Sequence, residues 1–305
     1  IAAYLEEQGY KVKIIDAFAL NLSLDQIKQE IIKNRPQIVF TGSVSSTHQT
    51  ALKILEIAKE IDSSIKTVIG GPHPSNAPES CFPKADCVAI NESEETAREL
   101  CNYYMHDKGK IKDIKGIVYQ EDGNIIRTEK RPFIKDLNTL PMPAYHLLPM
   151  DAYKSYGWLD TGRRFSSMVT SRGCPFKCSF CASSKNFEHW WRARNAKKVF
   201  DEMQLLNEKY GIRHIYFQDD EFCVDPFRVK EICKLIKDNK MDVYWECLTR
   251  VVSVNKREDM VKDMAKAGCK SILFGIECGY EEGWKKIGKP ITKEQCISAV
   301  KMLQH

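Results

Sequence analysis

The sequence predicts an α/β protein of two domains: a doubly wound parallel sheet whose first strand is missing, then a partial (β/α) barrel truncated at its C-terminus. Strand-like apolar runs alternate with helical stretches along most of the 305 residues, which is typical of parallel sheets with helical crossovers. One segment between residues 138 and 160 has several prolines and no periodicity, so we interpret it as the interdomain linker. The domains are therefore placed at residues 1–137 and 161–305.

The elements expected in the first domain, in chain order, are a helix ending at Gly9, a strand at Val12 to Ile15, a helix at 24–33, a strand in "PQIVFTGS", a helix at 47–61, strands in "KTVIGG" and "CVAI", and a helix in "SEETARELCNYYM". Asp122-Gly123 lies between two apolar runs and predicts a hairpin, which we expect as an antiparallel appendage to this domain. The chain opens in a helical pattern without an initiator Met and closes on a helix, so we expect missing segments at the ends.

The second domain is predicted to contain four βα units, the number found in half of a (β/α) barrel. Their strands are expected in "FSSMVTS", "HIYFQDD", "DVYWECLTR" and "KSILFGIECG", with helices at 194–210, 226–238 and 256–267 and a further helix after the fourth strand. Polar groups follow each strand: Cys174, then Asp219-Asp220-Glu221, then Arg250, then Glu277. Because sites in α/β folds collect at the carboxyl ends of strands, we expect these groups at one rim.

Composition gives no indication of a membrane or nucleic-acid partner. The net charge is only +5, 29% of residues are charged, and no apolar run reaches the roughly 18 residues of a spanning helix. No signal peptide is visible, so a cytoplasmic location is expected. Twelve cysteines are too sparse for a disulfide scaffold. Nine scattered ones are interpreted as buried free thiols: Cys81, Cys87, Cys101, Cys223, Cys233, Cys247, Cys269, Cys278 and Cys296.

The other three cysteines, Cys174, Cys178 and Cys181, form a C-x3-C-x2-C run directly after the first barrel strand. A structural zinc site needs a fourth ligand, for which His189 and Cys223 are the nearest candidates, and no second C-x2-C pair exists. A disulfide would leave one thiol over. Three thiolates on a cubane iron–sulfur cluster would instead leave one iron open to bind a substrate or cofactor.

This spacing resembles the radical S-adenosylmethionine (SAM) superfamily, and Phe180 before Cys181 fits the same pattern. The resemblance implies a 4Fe–4S cluster on the three cysteines. Its open iron would bind SAM, and the reduced cluster would cleave SAM to a 5′-deoxyadenosyl radical. The segments "YFQDDEF", "YWECLTR" and "LFGIECG" are similar to strand-end motifs of the cobalamin-binding branch. By this resemblance, Asp219 and Asp220 lie near the SAM amino group or the substrate, Arg250 pairs with the SAM carboxylate, and Glu277 faces the ribose or amino group.

The first domain is similar to the cobalamin-binding domain that precedes many of these enzymes. The small residues of "TGSVSST" and "IGGPHPS" follow successive strands and would let a bulky ligand approach the backbone. By the resemblance, Ser43, Ser45, Gly70 and Gly71 line the slot for the nucleotide tail, although Ser45 replaces the usual apolar residue. His48 and His73 are interpreted as polar loop residues, because neither lies in the family's lower-ligand motif.

The main hypothesis is cobalamin-dependent methylation of an unactivated carbon in a small-molecule substrate. An external electron donor such as flavodoxin or ferredoxin is expected as a partner. One alternative is radical-driven oxidative cyclisation, as in anaerobic porphyrin-ester cyclases, and another is a non-catalytic iron–sulfur or zinc protein. Three tryptophans are candidates either for an apolar pocket or for the core: Trp190, Trp191 and Trp245.

Overall fold

The computed structural model describes residues 1–153 and 161–303. The chain forms two compact units, one made of residues 1–134 and 140–149, the other of residues 135–139 and the chain from Met150 onward. The proline-rich segment is thus shared between the units, and its residues 154–160 lie outside the described residues. Each unit contains its own sheet.

The first unit contains α1 (Ala2–Glu7), α2 (Leu24–Asn34), β1 (Ile38–Gly42), α3 (His48–Ile61), β2 (Lys66–Gly70), α4 (Pro72–Asn76), β3 (Cys87–Ala89), α5 (Glu94–His106), β4 (Ile117–Glu121) and β5 (Asn124–Arg127). The strands form one sheet in the order β1-β2-β3-β4-β5. The first three strands are parallel and the last two antiparallel. The α/β sheet predicted from the sequence is confirmed.

Consecutive side chains of a strand point to opposite faces of a sheet, and both sets are buried in this one. On β2, Ile69 packs with Leu52 and Leu55 of α3 on one face. Its neighbour Val68 packs with Leu100 of α5 on the other. Helices therefore cover both faces, which is the doubly wound arrangement.

Two details of the first unit differ from expectation. The predicted strand at Val12 to Ile15 is wrong, because these residues form no strand. Val12 is half-buried against the cluster of Leu5, Ala97 and Cys101, so its apolar character reflects packing rather than strand pairing. The Asp122-Gly123 hairpin forms, with φ of 49° and 79° at the turn. The expected antiparallel appendage is the edge of the main sheet, since β4 pairs with β3.

The second unit contains β6 (Phe165–Met168), β7 (Ser171–Arg172), α6 (Ala182–Asn186), β8 (Arg192–Ala193), α7 (Ala196–Tyr210), β9 (His214–Phe217), α8 (Pro226–Asp238), β10 (Tyr244–Thr249), α9 (Val251–Val254), α10 (Glu258–Lys266), β11 (Cys269–Phe274), α11 (Glu281–Lys286) and α12 (Lys293–Met302). Four strands form a wholly parallel sheet in the order β11-β10-β9-β6. Each strand is therefore beside its predecessor in the chain, as in a (β/α) barrel.

Aromatic packing fills the core of the second unit. Phe217, Phe222 and Trp245 lie within 6 Å of one another, measured between ring centroids. The indole nitrogen of Trp245 donates to the carbonyl of Ala267 at 2.8 Å. Trp245 therefore belongs to the core, whereas Trp190 is partly exposed.

Most of the scattered cysteines are buried free thiols, as predicted; only Cys269 and Cys278 are half-buried among them. No helix in residues 1–153 or 161–303 has the length and apolar character needed to cross a membrane.

Candidate functional site

The three clustered cysteines lie on a loop that begins at Gly173, where the chain leaves β7. Gly173 has a φ of 83°, and a Cβ there would lie 2.3 Å from the carbonyl oxygen of Trp190. A side chain at this position would therefore collide with backbone as well as strain the dihedral. The antiparallel pairing of β7 with β8 closes the base of the loop.

Further contacts anchor the middle of the cysteine loop. Ser179 donates its backbone N–H to the carbonyl of Ile287 at 3.0 Å. A Cβ at Gly288 would lie 2.9 Å from the carbonyl oxygen of Lys177, so the chain after α11 approaches the loop closely. His189 bonds through Nδ1 to the carbonyl oxygen of Phe176 at 3.0 Å. The loop is thus held by its backbone at several points.

All three thiols, those of Cys174, Cys178 and Cys181, are free and half-buried. Within the described part of the chain, no three His, Cys, Asp or Glu side chains are arranged to hold a metal ion. The thiols are therefore not gathered around one ion position. Burial raises the pKa of Cys174 to about 11, so a metal ion that binds this thiol must displace its proton.

Arg250 follows β10 and reaches the cysteine loop. Its Nη1 lies 3.4 Å from the Sγ of Cys178, and its guanidinium carbon lies 3.7 Å from the centre of the Phe176 ring. Arg250 is 6% exposed, and its Nε and Nη2 are buried without a hydrogen-bond partner. Leaving such donors unpaired is costly. An anion with two oxygens would satisfy both, so this side chain fits a carboxylate ligand.

Glu221 holds the end of β10 in place. It is fully buried and accepts hydrogen bonds from the backbone N–H of Arg250 at 2.7 Å and from the hydroxyl of Thr249. The sequence predicts Glu221 at the strand-end rim with the rest of the acidic run but indicates no individual role for it. Its importance depends on burial, which three adjacent acidic residues at a strand end do not reveal.

The neighbouring acids Asp219 and Asp220 are placed differently from each other. Asp219 is buried and accepts from the backbone N–H of Thr170 at 2.6 Å and from the hydroxyl of Ser171 at 2.7 Å. Burial raises its pKa. Asp220 is exposed and lies near enough to Cys174 to act on it electrostatically. Asp219 thus braces the strand before the cysteine loop, and Asp220 is accessible to a ligand.

The buried carboxyl of Glu221 should make stability depend on pH. Burial raises its pKa above the ordinary value of 4.5. A carboxyl whose pKa is higher in the folded than in the unfolded state stabilises the fold fully when the pH lies below its unfolded-state pKa. This stabilisation is lost as the pH rises through the folded-state pKa. We expect Glu221→Gln to gain stability relative to the wild type as pH rises from 4.5. Urea unfolding at several pH values measures this, and a difference independent of pH would contradict it.

Glu277 lies three residues after β11 and forms an ion pair with Lys289. Lys289 Nζ is 3.0 Å from Oε1 of Glu277, and the lysine is only 4% exposed while the glutamate is exposed. A Cβ at Gly275 would lie 2.7 Å from the same oxygen. The pair therefore fixes Glu277, whose φ is 68°. Lys289 was missed in the sequence because it lies twelve residues further on without a motif.

Of the remaining second-domain candidates, Phe180 is 57% exposed on the cysteine loop. Trp191 donates its indole N–H to the carbonyl of Glu221 at 3.2 Å. Trp191 therefore connects the end of the cysteine loop to the acidic run after β9.

In the first unit, the loops after β1 and β2 meet closely. Ser43 donates its N–H to the carbonyl of Gly70 at 3.0 Å, and its own carbonyl accepts from the N–H of His73 at 3.2 Å. Gly71 has a φ of 96°, and a Cβ there would lie 2.9 Å from the carbonyl oxygen of Ser43. The structure thus brings together the four predicted slot residues Ser43, Ser45, Gly70 and Gly71 at the carboxyl ends of these strands.

A chain of five side chains crosses this place. The contacts run from Ser43 Oγ to His48 Nδ1 (3.1 Å), from His48 Nε2 to Ser80 Oγ (3.1 Å), from Ser80 Oγ to His73 Nε2 (3.4 Å), and from His73 Nδ1 to Ser45 Oγ (3.0 Å). The two imidazole rings are 4.0 Å apart. The interpretation of both histidines as polar loop residues is wrong, because His48 begins α3 and His73 lies in α4. Their contacts span 25 residues and are not visible in the sequence.

The proton positions in this chain follow from one further bond. Ser80 donates its hydroxyl proton to the carbonyl of Ala77 at 2.6 Å. Its oxygen can then only accept from the two Nε2 atoms, so neutral His48 and His73 each carry the proton on Nε2. Ser43 and Ser45 must donate to the Nδ1 atoms. Burial lowers the pKa of His48, and the neighbouring His73 lowers it further by a smaller amount, so the His48 ring stays neutral.

We therefore expect nitrogen-detected NMR near neutral pH to show the Nε2-protonated tautomer for His48. Ser80→Ala should remove the shared acceptor and change the nitrogen shifts of both imidazoles, while Ser63→Ala, in the loop after α3, should leave them unchanged. An Nδ1-protonated His48 in the wild type would contradict the hydrogen-bond direction inferred here.

Two family models match this chain in the comparison with known proteins. A model of the B12 binding domain matches residues 1–101, and one of the radical SAM superfamily matches residues 168–305. An uncharacterized methyltransferase of Pyrococcus horikoshii is 37% identical over 98% of this chain and 64% of its own. An anaerobic magnesium-protoporphyrin IX monomethyl ester cyclase of Rubrivivax gelatinosus is 29% identical over all of this chain and 55% of its own.

The solved structure of the cobalamin-dependent SAM radical enzyme OxsB with aqua-cobalamin and SAM bound has the same fold. It superposes with a TM-score of 0.84 at 22% identity, over 99% of this chain and 44% of that chain. Our chain therefore spans only part of the proteins that it matches.

The chain thus combines a doubly wound sheet with a second, parallel sheet whose first strand is followed by Cys174, Cys178 and Cys181. The chain carries a B12 binding domain in residues 1–101 and a radical SAM superfamily domain in residues 168–305.

Proposed function

We propose that the chain is the cofactor-binding part of a cobalamin-dependent radical SAM methyltransferase. The observation that carries this proposal is the pairing of a three-thiol loop with Arg250, whose two unpartnered guanidinium nitrogens are buried beside it. Three thiolates leave one iron of a 4Fe–4S cluster open, and a buried cation next to that position suits the carboxylate of SAM. When bound, the cluster supplies the electron for SAM cleavage, and methylcobalamin supplies the methyl group.

The protein groups act by holding and orienting. Cys174, Cys178 and Cys181 would bind the cluster, and Arg250 would hold the SAM carboxylate through Nε and Nη2. Glu221 fixes the backbone from which Arg250 extends. Such a buried, pre-arranged guanidinium loses little freedom when it binds its ligand.

Two further groups are proposed to complete the SAM site. Glu277, held by Lys289, would accept from the ribose hydroxyls or the amino group. Asp220 is exposed and available to the amino group or the substrate, whereas buried Asp219 would act by bracing the strand before the loop. Phe180, exposed beside Cys181, would pack on the bound cofactor.

The first unit would bind the nucleotide tail of cobalamin in the loops after β1 and β2. Ser43, Ser45, Gly70 and Gly71 line this place, and the approach of Gly71 to Ser43 leaves no room for a larger residue. Ligands of doubly wound sheets bind at the carboxyl ends of strands, which is where these loops lie.

Methyl transfer to an unactivated carbon of a small molecule is favoured, because the relative with 37% identity is named a methyltransferase. The second candidate is oxidative cyclisation, favoured by the 29% identity to the porphyrin ester cyclase. An external donor such as flavodoxin or ferredoxin would reduce the cluster, and the protein would act in the cytoplasm.

The test uses the full-length protein, reconstituted anaerobically with iron and sulfide and reduced with dithionite. We expect 5′-deoxyadenosine to form from SAM, as measured by chromatography. We also expect near-equal amounts of bound corrinoid and protein chain, as measured by visible absorption. Absence of corrinoid binding would remove the methyl donor and leave the cyclisation candidate. Stoichiometric zinc without iron uptake would refute the radical enzyme and favour the non-catalytic alternative.

A further inference from the structure

Arg250 contacts a thiol through one guanidinium nitrogen, while its other two nitrogens have no hydrogen-bond partner. Its Nη1 lies 3.4 Å from the Sγ of Cys178, a distance suited to an N–H···S hydrogen bond. This contact is separate from Nε and Nη2, the two nitrogens without partners. One guanidinium can therefore serve a cysteine ligand and a carboxylate through different atoms.

The Arg250 guanidinium is buried and held by its neighbours. The Phe176 ring packs 3.7 Å from its guanidinium carbon, and the residue is 6% exposed. Glu221 accepts from its backbone N–H, so the start of the side chain is also fixed. A positive charge in such surroundings acts more strongly on its neighbours than one in water.

We propose that Arg250 raises the reduction potential of the cluster through its contact with Cys178, beyond any role in binding SAM. This inference rests on the proposed iron–sulfur site. Reduction adds one electron to the cluster, with no bond made or broken, and the added negative charge is stabilised by an adjacent cation. Hydrogen bonds to cluster sulfurs and nearby charge are known determinants of such potentials. Arg250 would thus act as a positioning residue that makes the cluster easier to reduce.

The experiment is a redox titration of the reconstituted full-length protein without SAM, followed by electron paramagnetic resonance. Arg250→Gln removes the charge, and we expect the ratio of reduced to oxidised cluster at a fixed solution potential to fall about tenfold, which is about 59 mV for one electron. Arg250→Lys keeps the charge, so its ratio of reduced to oxidised cluster should fall less. The control Arg257→Gln removes an equal charge from a residue that instead bonds to the carbonyls of Cys223 and Ser253.

Iron content is measured for every variant, so that loss of the cluster is distinguished from a change in its potential. If Arg250→Gln takes up no iron, Phe176→Leu replaces it, because it loosens the guanidinium and should shift the ratio in the same direction by a smaller factor. An unchanged ratio in a fully loaded variant, or an equal fall in Arg257→Gln, would overturn the inference. Failure of the wild type to bind iron would instead overturn the proposed function.

Discussion

Replacing Cys178 with alanine is expected to abolish 5′-deoxyadenosine formation. Bound iron should also fall well below the level of a cubane cluster, which holds about four iron atoms per chain. Each of the three thiolates would hold one iron, and the described residues contain no other group of His, Cys, Asp or Glu side chains arranged to hold a metal in their place. Cys174→Ala and Cys181→Ala should behave in the same way. Iron analysis and chromatography of the SAM products measure both effects.

The matched control is Cys278→Ala, which removes a half-buried free thiol from the same unit. Its Sγ donates only a weak hydrogen bond, 3.7 Å from the carbonyl oxygen of Tyr280. This variant should keep its iron and its product formation. Full turnover by Cys178→Ala would refute the assignment of the cysteine loop to the cluster.

Gly173→Ala is expected to have the second large effect, on folding of the loop itself. The residue would adopt a φ of 83° with its Cβ 2.3 Å from a backbone oxygen, which no side-chain rotation can relieve. Left-handed strain costs a non-glycine residue about 1–2 kcal/mol, and overpacking adds about 1–3 kcal/mol. We expect a loss of about 2–5 kcal/mol in unfolding free energy, with poor iron uptake.

Gly109→Ala provides the matched comparison, because Gly109 has a φ of 88° and nothing within 4 Å of its added Cβ. It should lose about 1–2 kcal/mol from dihedral strain alone and keep its iron. Urea denaturation of the iron-free proteins separates the two variants. Equal losses would show that the approach of Trp190 to Gly173 is not a constraint.

Periodic apolar segments were the most predictable part of the fold. The helix Pro226–Asp238 matches its predicted range, and all four barrel strands form where apolar runs precede polar residues. The segment at Val12 to Ile15 was predicted wrongly because apolar residues report burial, whereas a strand also needs a hydrogen-bonded neighbour. The hairpin turn was predictable from Asp122-Gly123, but its pairing with β3 depends on contacts distant in sequence.

The cysteine loop and Arg250 could be found from the sequence because they follow strands in a recognisable spacing. Their surroundings could not. Glu221 is buried and Asp220 is exposed although they are adjacent. Which of the two is buried depends on packing against the end of β10. Lys289 and the histidine pair likewise acquire partners through folding, at sequence separations that no local pattern encodes. The roles proposed for individual site residues stay predictions until variants are measured.

The most direct test of the central claim is electron paramagnetic resonance of the reduced, reconstituted wild-type protein with and without SAM. Binding of SAM to an open iron should change the spectrum of the cluster, because a new ligand alters the iron environment. An iron–sulfur signal that changes on SAM addition is the predicted result. A cluster signal unaffected by saturating SAM, or a protein that binds zinc and no iron, would contradict it.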